Sequence, residues 1–336
     1  MGRIVKIGLG LAILGGAAFA GSGLWAYQWY LSPGPLVSTK ILVLPRGAGA
    51  QDIGEDLAKA GLIDRPLLFA LAVKLTEGEG QLKAGEYEFA AGISPSDILR
   101  ELRSGKTVVH RLTVPEGLTS AAIVTLVKAA PALSGEISAI PGEGTLLPST
   151  YFYSWGDKRQ VLLNGMHHQM EVALTRLWAQ RRPDLPLGTR EEAVTLASIV
   201  EKETGVAAER PLIAGVFYNR LRLGMRLQSD PTVIYALTHG LAPLDRPLSK
   251  ADLRVTSPYN TYLVKGLPPG PIANPGLAAL RAVLAPAMTG DLYFVANGTG
   301  GHTFSTDLNE HNRAVRQLRQ QEAATASHKT SPISTH

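Results

Sequence analysis

The longest apolar run in the chain lies at its start, from Ile7 to about Tyr30, with no charged residue between Lys6 and Lys40. About 20 apolar residues suffice to cross a bilayer as a helix, so the pattern predicts a transmembrane anchor over residues 7–30. Arg3 and Lys6 precede it. That charge predicts a cytoplasmic stub over residues 1–6 and a body on the outer side of the membrane. Trp25, Tyr27, Trp29 and Tyr30 would form an aromatic belt at the outer interface. The competing reading is a cleaved signal peptide, because Ala18-Phe-Ala20 is an acceptable cleavage signature. The apolar run continues past that point, which favours an uncleaved anchor.

Beyond a break at Ser32-Pro-Gly-Pro35 and a linker over residues 31–39, shorter patterns take over. Lys40-Ile-Leu-Val-Leu44 reads as a strand, Pro45-Arg-Gly47 as a turn and residues 51–60 as a helix. The arrangement recurs seventy residues later. Leu112-Thr-Val-Pro-Glu-Gly117 echoes Leu42-Val-Leu-Pro-Arg-Gly47 and precedes a helix over residues 120–130. Two such copies predict a duplicated small α+β unit within residues 40–143. Between them, residues 84–89 alternate as a strand, and Ser94-Pro-Ser-Asp97 supplies the cap of another helix.

From Gly144 the spacing becomes mainly helical. Leu162, Met166, Met170, Ala173 and Leu177 share one side of a helix over residues 159–181. Helices are also predicted over residues 191–203 and 207–223. Another opens at Asp230-Pro-Thr, with Asp230 as N-cap and Pro231 at the first helical position. Residues 266–276 hold four prolines and form a stiff loop. Residues 291–296 and 302–304 read as a hairpin joined by Asn297-Gly-Thr-Gly-Gly301. The Ser-, Thr-, His- and Ala-rich tail over residues 323–336 is expected to be disordered. The fold class is α+β behind an N-terminal transmembrane helix.

Composition narrows the function. With 18% charged residues, 35 glycines and 22 prolines in 336 residues, the chain suits a folded, turn-rich protein. A net charge of +5 is compatible with an anionic partner such as a membrane surface or a cell-wall polymer. Dense Lys/Arg clusters interleaved with aromatics are absent, so nucleic acid is not an expected partner. The lack of cysteine excludes disulfides, thiolate catalysis and cysteine metal sites. His167 and His168 are adjacent, on different helix faces, and neither HExxH nor HxxEH occurs, so neither a metal nor a cofactor is expected. Ser198 and His302 are loose candidates for Ser-His-Asp hydrolysis, but the G-x-S-x-G elbow is missing.

The most informative segment is Leu196-Ala-Ser-Ile-Val-Glu-Lys-Glu-Thr204. At 100° per residue Ala193, Leu196, Ile199 and Val200 share a side, and Glu203 falls within that stripe. Glu201 projects away from it, beside Val194 and Ala197. Burial disfavours a carboxylate and raises its pKa, which is what a general acid requires near neutral pH. The alternative is a helix-end Glu203 tied to Arg210 or Arg220. Glycosidic cleavage needs one protonated carboxyl group at the leaving oxygen. Asn219, Arg220, Gln228, Asn260, Tyr262 and Asn274 are polar residues in constrained settings that would suit a groove for a sugar chain, and Asp230 is either a helix cap or a second carboxylate.

Ala197-Ser-Ile-Val-Glu-Lys-Glu-Thr204, Phe217-Tyr-Asn-Arg-Leu221, Gly224-Met-Arg-Leu-Gln-Ser-Asp-Pro-Thr-Val-Ile-Tyr235, Tyr259-Asn-Thr-Tyr262, Gly266-Leu-Pro-Pro-Gly-Pro-Ile272, Asn274-Pro-Gly276, Tyr293-Phe-Val295 and Gly301-His-Thr-Phe304 resemble the endolytic murein transglycosylases (MltG, or YceG-like, proteins). The resemblance covers nearly the whole chain and implies an anchor, a LysM-like region over residues 40–143 and a mixed α+β catalytic domain over residues 144–322. It implies a bacterial inner-membrane lyase that cuts peptidoglycan strands internally, with Glu203 as the catalytic acid. Asn219, Arg220, Gln228, Asp230, Asn260, Tyr262 and Asn274 are the expected glycan-binding residues, and peptidoglycan synthases are candidate partners. Ser149 stands where the family usually has Asp, which removes any acid from that position. A non-catalytic peptidoglycan-binding scaffold is the alternative, and a hydrolase is the nearer enzymatic rival.

Overall fold

The structure is a computed structural model that describes residues 2–76 and 82–330. It divides into two compact units, one of residues 1–110, 132–134 and 152–157, the other of residues 111–131, 135–151 and 158–336.

The first unit begins with α1 (Gly2–Leu31), whose stretch Ile7–Leu31 is long and apolar enough to cross a membrane. β1 (Lys40–Leu44) and β2 (Gly85–Phe89) pair antiparallel, Leu42 opposite Tyr87. Against them pack α2 (Ala50–Lys59), α3 (Pro66–Leu75) and α4 (Pro95–Ser104). Leu57, Phe69, Tyr87, Phe89, Ile98 and Leu102 form the core. The α4 cap is formed as expected, with Ser94 Oγ accepting from the Asp97 amide at 3.1 Å. Trp29 and Tyr30, expected only as belt residues, also pack against this core.

The second strand–turn–helix copy comprises β3 (Val109–Thr113) and α5 (Ser120–Ala129). Gly47 and Gly117 both have positive φ, +82° and +75°, so the turns are locally alike. The likeness ends there. β1 pairs with β2, whereas β3 pairs with β4 (Thr150–Ser154), and α2 and α5 belong to different units. A LysM-like duplication is therefore not confirmed.

The core of the second unit lies among α6 (Arg159–Ala179), α7 (Arg190–Glu203), α8 (Arg210–Arg222) and α10 (Leu277–Leu284). Leu174, Ala197, Ile199, Phe217 and Leu280 meet there. α7 starts in a capping box, with Thr189 Oγ1 accepting from the Glu192 amide and the Glu192 carboxylate accepting from the Thr189 amide. Every residue from Ala193 to Glu201 is buried, so α7 is a central helix and not an amphipathic one with a single core stripe. β5 (Tyr293–Ala296) and β6 (His302–Ser305) form the expected hairpin.

Two local expectations are corrected. The helix at Asp230, α9 (Asp230–Thr238), has Ser229 at its N-cap position, Asp230 as first residue and Pro231 as second. The segment after the hairpin is α11 (Leu308–Thr330), so the expected disordered tail is helical as far as Thr330. Residues 331–336 lie outside the described residues.

Candidate active site

Glu203 is the last residue of α7. Helix C-termini carry partial negative charge, which opposes ionisation of a carboxyl group placed there. Burial acts the same way and dominates. It pushes Glu203 up to about 7, helped by the negative charge of Asp230 and opposed by the Ser229 hydrogen bond and by the positive charges of His302 and Arg220. Ser229 Oγ donates to Glu203 Oε1 at 2.5 Å. Because that hydroxyl is spent on Glu203, it does not cap α9.

Ser229 is itself held firmly. Its amide donates to Thr261 Oγ1 at 3.0 Å, and its carbonyl accepts from Thr232 Oγ1 at 2.7 Å. Tyr262 donates its hydroxyl to Asp230 Oδ1 at 2.6 Å. Burial and Asp230 together raise the Tyr262 phenol pKa, which keeps it a proton donor. On the other side, Glu209 accepts from the His302 amide and from His302 Nδ1, each at 2.7 Å, and from Thr204 Oγ1 at 3.0 Å. These bonds tie the β5–β6 hairpin to the residue following Glu203. Although burial pushes the Glu209 carboxyl up, the His302 ring and amide and the Thr204 hydroxyl outweigh it and hold it below the usual range.

The two glutamates of Glu201-Lys-Glu203 have opposite surroundings. Glu201 Oε1 accepts from Arg210 Nη2 at 2.9 Å and its Oε2 accepts from the Gly276 amide at 2.9 Å. Those bonds join α7, α8 and the start of α10, a framework role. The alternative in which Glu203 is tied to Arg210 is thereby overturned, since Arg210 serves Glu201. Arg220 directs Nε to the Leu292 carbonyl and Nη1 to the Leu227 carbonyl, each at 2.6 Å. It influences Glu203 by charge. One neutral carboxyl group with a hydroxyl partner and nearby positive charge can give up a proton and then be stabilised as the carboxylate.

The model of the YceG-like family matches residues 42–317 of this chain. The chain belongs to the YceG-like family. A relative from Streptococcus pneumoniae serotype 2 (strain D39 / NCTC 7466), named endolytic murein transglycosylase, is 31% identical over 355 residues, covering 90% of this chain and 63% of the relative. One of the same name from Bacillus subtilis (strain 168) is 32% identical over 303 residues, covering 81% of this chain and 82% of the relative. The chain thus spans less than two thirds of the length of the S. pneumoniae relative. A crystallised yceG-like protein from Listeria monocytogenes aligns with a TM-score of 0.51 at 31% identity, over 82% of this chain and 99% of that one.

In this YceG-like chain the residues expected to bind glycan fall into two groups. Arg220, Asp230 and Tyr262 belong with Glu203. Gln228 precedes Ser229, is exposed and has a φ of +51°, a conformation rare for a residue other than glycine. The three asparagines are instead committed to the framework. Asn219 Nδ2 donates to the Thr289 and Asp291 carbonyls. Asn260, fully buried, donates to the Leu253 and Val255 carbonyls. Asn274, also fully buried, accepts from the Leu146 amide and donates to the Leu118 carbonyl and Ser120 Oγ. Ser198, the loose nucleophile candidate, is buried between the Thr195 carbonyl and the Ile272 amide. Sequence reasoning missed Ser229 and Glu209. Ser229 lies inside the quoted Gly224–Tyr235 motif, so the signal was present, but its partner is 26 residues away.

Proposed function

We propose that this chain is a membrane-anchored endolytic lytic transglycosylase, a lyase that cuts the MurNAc–GlcNAc bond within peptidoglycan strands. The observation that carries the reading is Glu203, with its pKa raised to about 7 and hydrogen-bonded to Ser229. Neutral Glu203 protonates the glycosidic oxygen as the bond to muramic C1 breaks. The Glu203 carboxylate, stabilised by Ser229 and by nearby positive charge, then takes the proton of the muramic 6-hydroxyl. That oxygen closes onto C1 as a 1,6-anhydro ring. The proton is returned, no water is consumed, and the nucleophile belongs to the substrate.

The relatives' shared name and the family supply the substrate class. The region of residues 144–322 is taken as the catalytic part, with Arg220, Gln228, Asp230 and Tyr262 contacting the glycan and Asn219, Asn260 and Asn274 shaping the groove. α1 is taken as a single-pass anchor in a bacterial inner membrane, its N-terminus cytoplasmic, which presents the enzyme to nascent strands beside peptidoglycan synthases. Such cutting would end strand elongation.

Mass spectrometry of fragments released from purified peptidoglycan by the full chain and by Glu203→Gln tests the reading. Anhydro-muramic ends from the parent protein alone are expected. Reducing ends would replace it with hydrolysis, for which Asp230 is the second carboxylate. Glycan binding without release by either protein would leave a scaffold.

A further inference from the structure

α3 is apolar on more sides than a water-exposed helix of a folded domain should be. Its inner face, Phe69, Ala70 and Val73, is buried in the core of the first unit. Its outer edge is Leu67, Leu71 and Leu75, spaced four apart and 71%, 49% and 75% exposed. Residues at this spacing share one side of a helix. A leucine left in water forgoes the stabilisation that burial gives, so three leucines lined up in water are a sizeable loss.

The location of α3 identifies what covers that edge. A cavity of about 630 Å³ lies between α3 and the end of α1, lined by Phe19, Trp25, Trp29, Leu68, Leu71 and Leu75 among others. Trp29 Nε1 donates to Asp64 Oδ1 at 2.7 Å, and the Arg65 guanidinium stacks over the Trp25 ring at 4.3 Å. Both contacts fasten the start of α3 to the last turns of the membrane-spanning stretch Ile7–Leu31. Tryptophan and tyrosine at the end of a transmembrane helix mark the headgroup level. α3 is therefore held at that level, with Arg65 at one end and Lys74 at the other. Apolar side chains on one face with cations at the margins suit a helix lying in a phospholipid interface.

We propose that α3 lies in the interface of the membrane that α1 crosses, with phospholipid acyl chains covering Leu67, Leu71 and Leu75 and filling the cavity shared with α1. The bilayer then holds the first unit by two elements, and the unit cannot swing freely about the anchor.

The chain has no cysteine, so single spin labels can be placed at Leu67→Cys, Leu71→Cys and Leu75→Cys in the full chain, reconstituted in phosphatidylcholine/phosphatidylglycerol vesicles. Ile41→Cys, on β1 and 53% exposed, is the control. The three leucine sites are exposed, so the substitutions leave the core intact. The expected result is broadening by oxygen and loss of broadening by an aqueous nickel chelate at all three, the reverse of Ile41. Access to nickel equal to that at Ile41 would place α3 in water and overturn the proposal. Shielding from both reagents would mean a protein surface or a second copy covers the edge, and would overturn it equally.

Discussion

Ser229 donates its hydroxyl to Glu203 across the gap between the end of α7 and the start of α9, at 2.5 Å. The bond favours the carboxylate form, whereas burial favours the acid, and the acid-then-base role proposed for Glu203 needs both. Removing Ser229 should upset the second half of that cycle. Ser229→Ala is expected to raise the Glu203 pKa, moving the alkaline limb of the pH–rate profile to higher pH. It should lower kcat by about 10–100-fold, since a hydrogen bond to a charged group is worth about 1.5–3 kcal/mol. A pH series of anhydro-product formation checks both.

Glu203 itself should cost the fold stability at alkaline pH. Its folded pKa of about 7 lies above the ordinary glutamate value of 4.5. A raised carboxyl pKa means that the unfolded chain ionises first, so stability falls as pH rises from about 4.5 to about 7 and then levels off. Glu203→Gln removes this loss. It should stabilise the protein by roughly 3 kcal/mol at pH 8, leave stability nearly unchanged at pH 4, and reduce activity by about 10²–10⁴-fold. Denaturant melts at the two pH values read the stability difference.

Glu201 should matter to the fold through its bonds to Arg210 and the Gly276 amide. Its carboxylate and the Arg210 guanidinium are a buried pair, with side chains only 4% and 10% exposed. Removing Glu201 leaves the Arg210 guanidinium with a longer 3.6 Å contact to Glu116, and breaking a buried pair typically costs roughly 3–5 kcal/mol. Glu201→Ala is therefore expected to lower the unfolding midpoint sharply, while Glu203→Ala does not. Comparing the two by calorimetry separates the framework acid from the proposed reacting one.

The Glu209–His302 contact predicts an electrostatic effect on the same titration. Positive charge on His302 lowers the Glu203 pKa, as does Arg220, while Asp230 raises it. His302→Gln, which removes that influence, should move the alkaline limb upward. His302→Arg, which places a permanent cation there, should not move it upward. A loss of activity in both variants with no displacement of the limb would mean that the hairpin acts only as a support.

Gly144 tests the packing behind the site. Its φ is +75°, and a Cβ there would stand 2.6 Å from Val194 Cγ1 and 2.7 Å from Pro271 Cγ. Both the left-handed backbone and the overpacking oppose a side chain. Gly144→Ala should destabilise by about 2–4 kcal/mol, read as a lowered denaturation midpoint with an unchanged slope.

Much of this architecture could be read locally. The span of α1, the β1 boundaries, the Ser94 cap and the existence of α6, α7 and α8 follow from run length, periodicity and cap residues, all of which act within a few positions of one another. α3 and α10 escaped because short apolar runs do not reveal whether they are buried, and α11 escaped because polar composition suggested disorder. Glu203 was identifiable because a carboxyl group ends an otherwise apolar helix.

The sequence by itself determined a first helix long and apolar enough to cross a membrane, the run of helices and the acid at the end of α7, because each depends on neighbours along the chain. Only the tertiary structure decided which carboxyl group is bound to a cation in the framework and which has its pKa raised by burial. Glu201 and Glu203 are two residues apart, yet one meets Arg210 and the Gly276 amide and the other meets Ser229. It likewise decided that Asn219, Asn260 and Asn274 serve the backbone, and that Glu209 reaches His302 across 93 residues. Burial and hydrogen-bond partners set the charge state of a side chain, and here chain folding brings those partners together from distant positions.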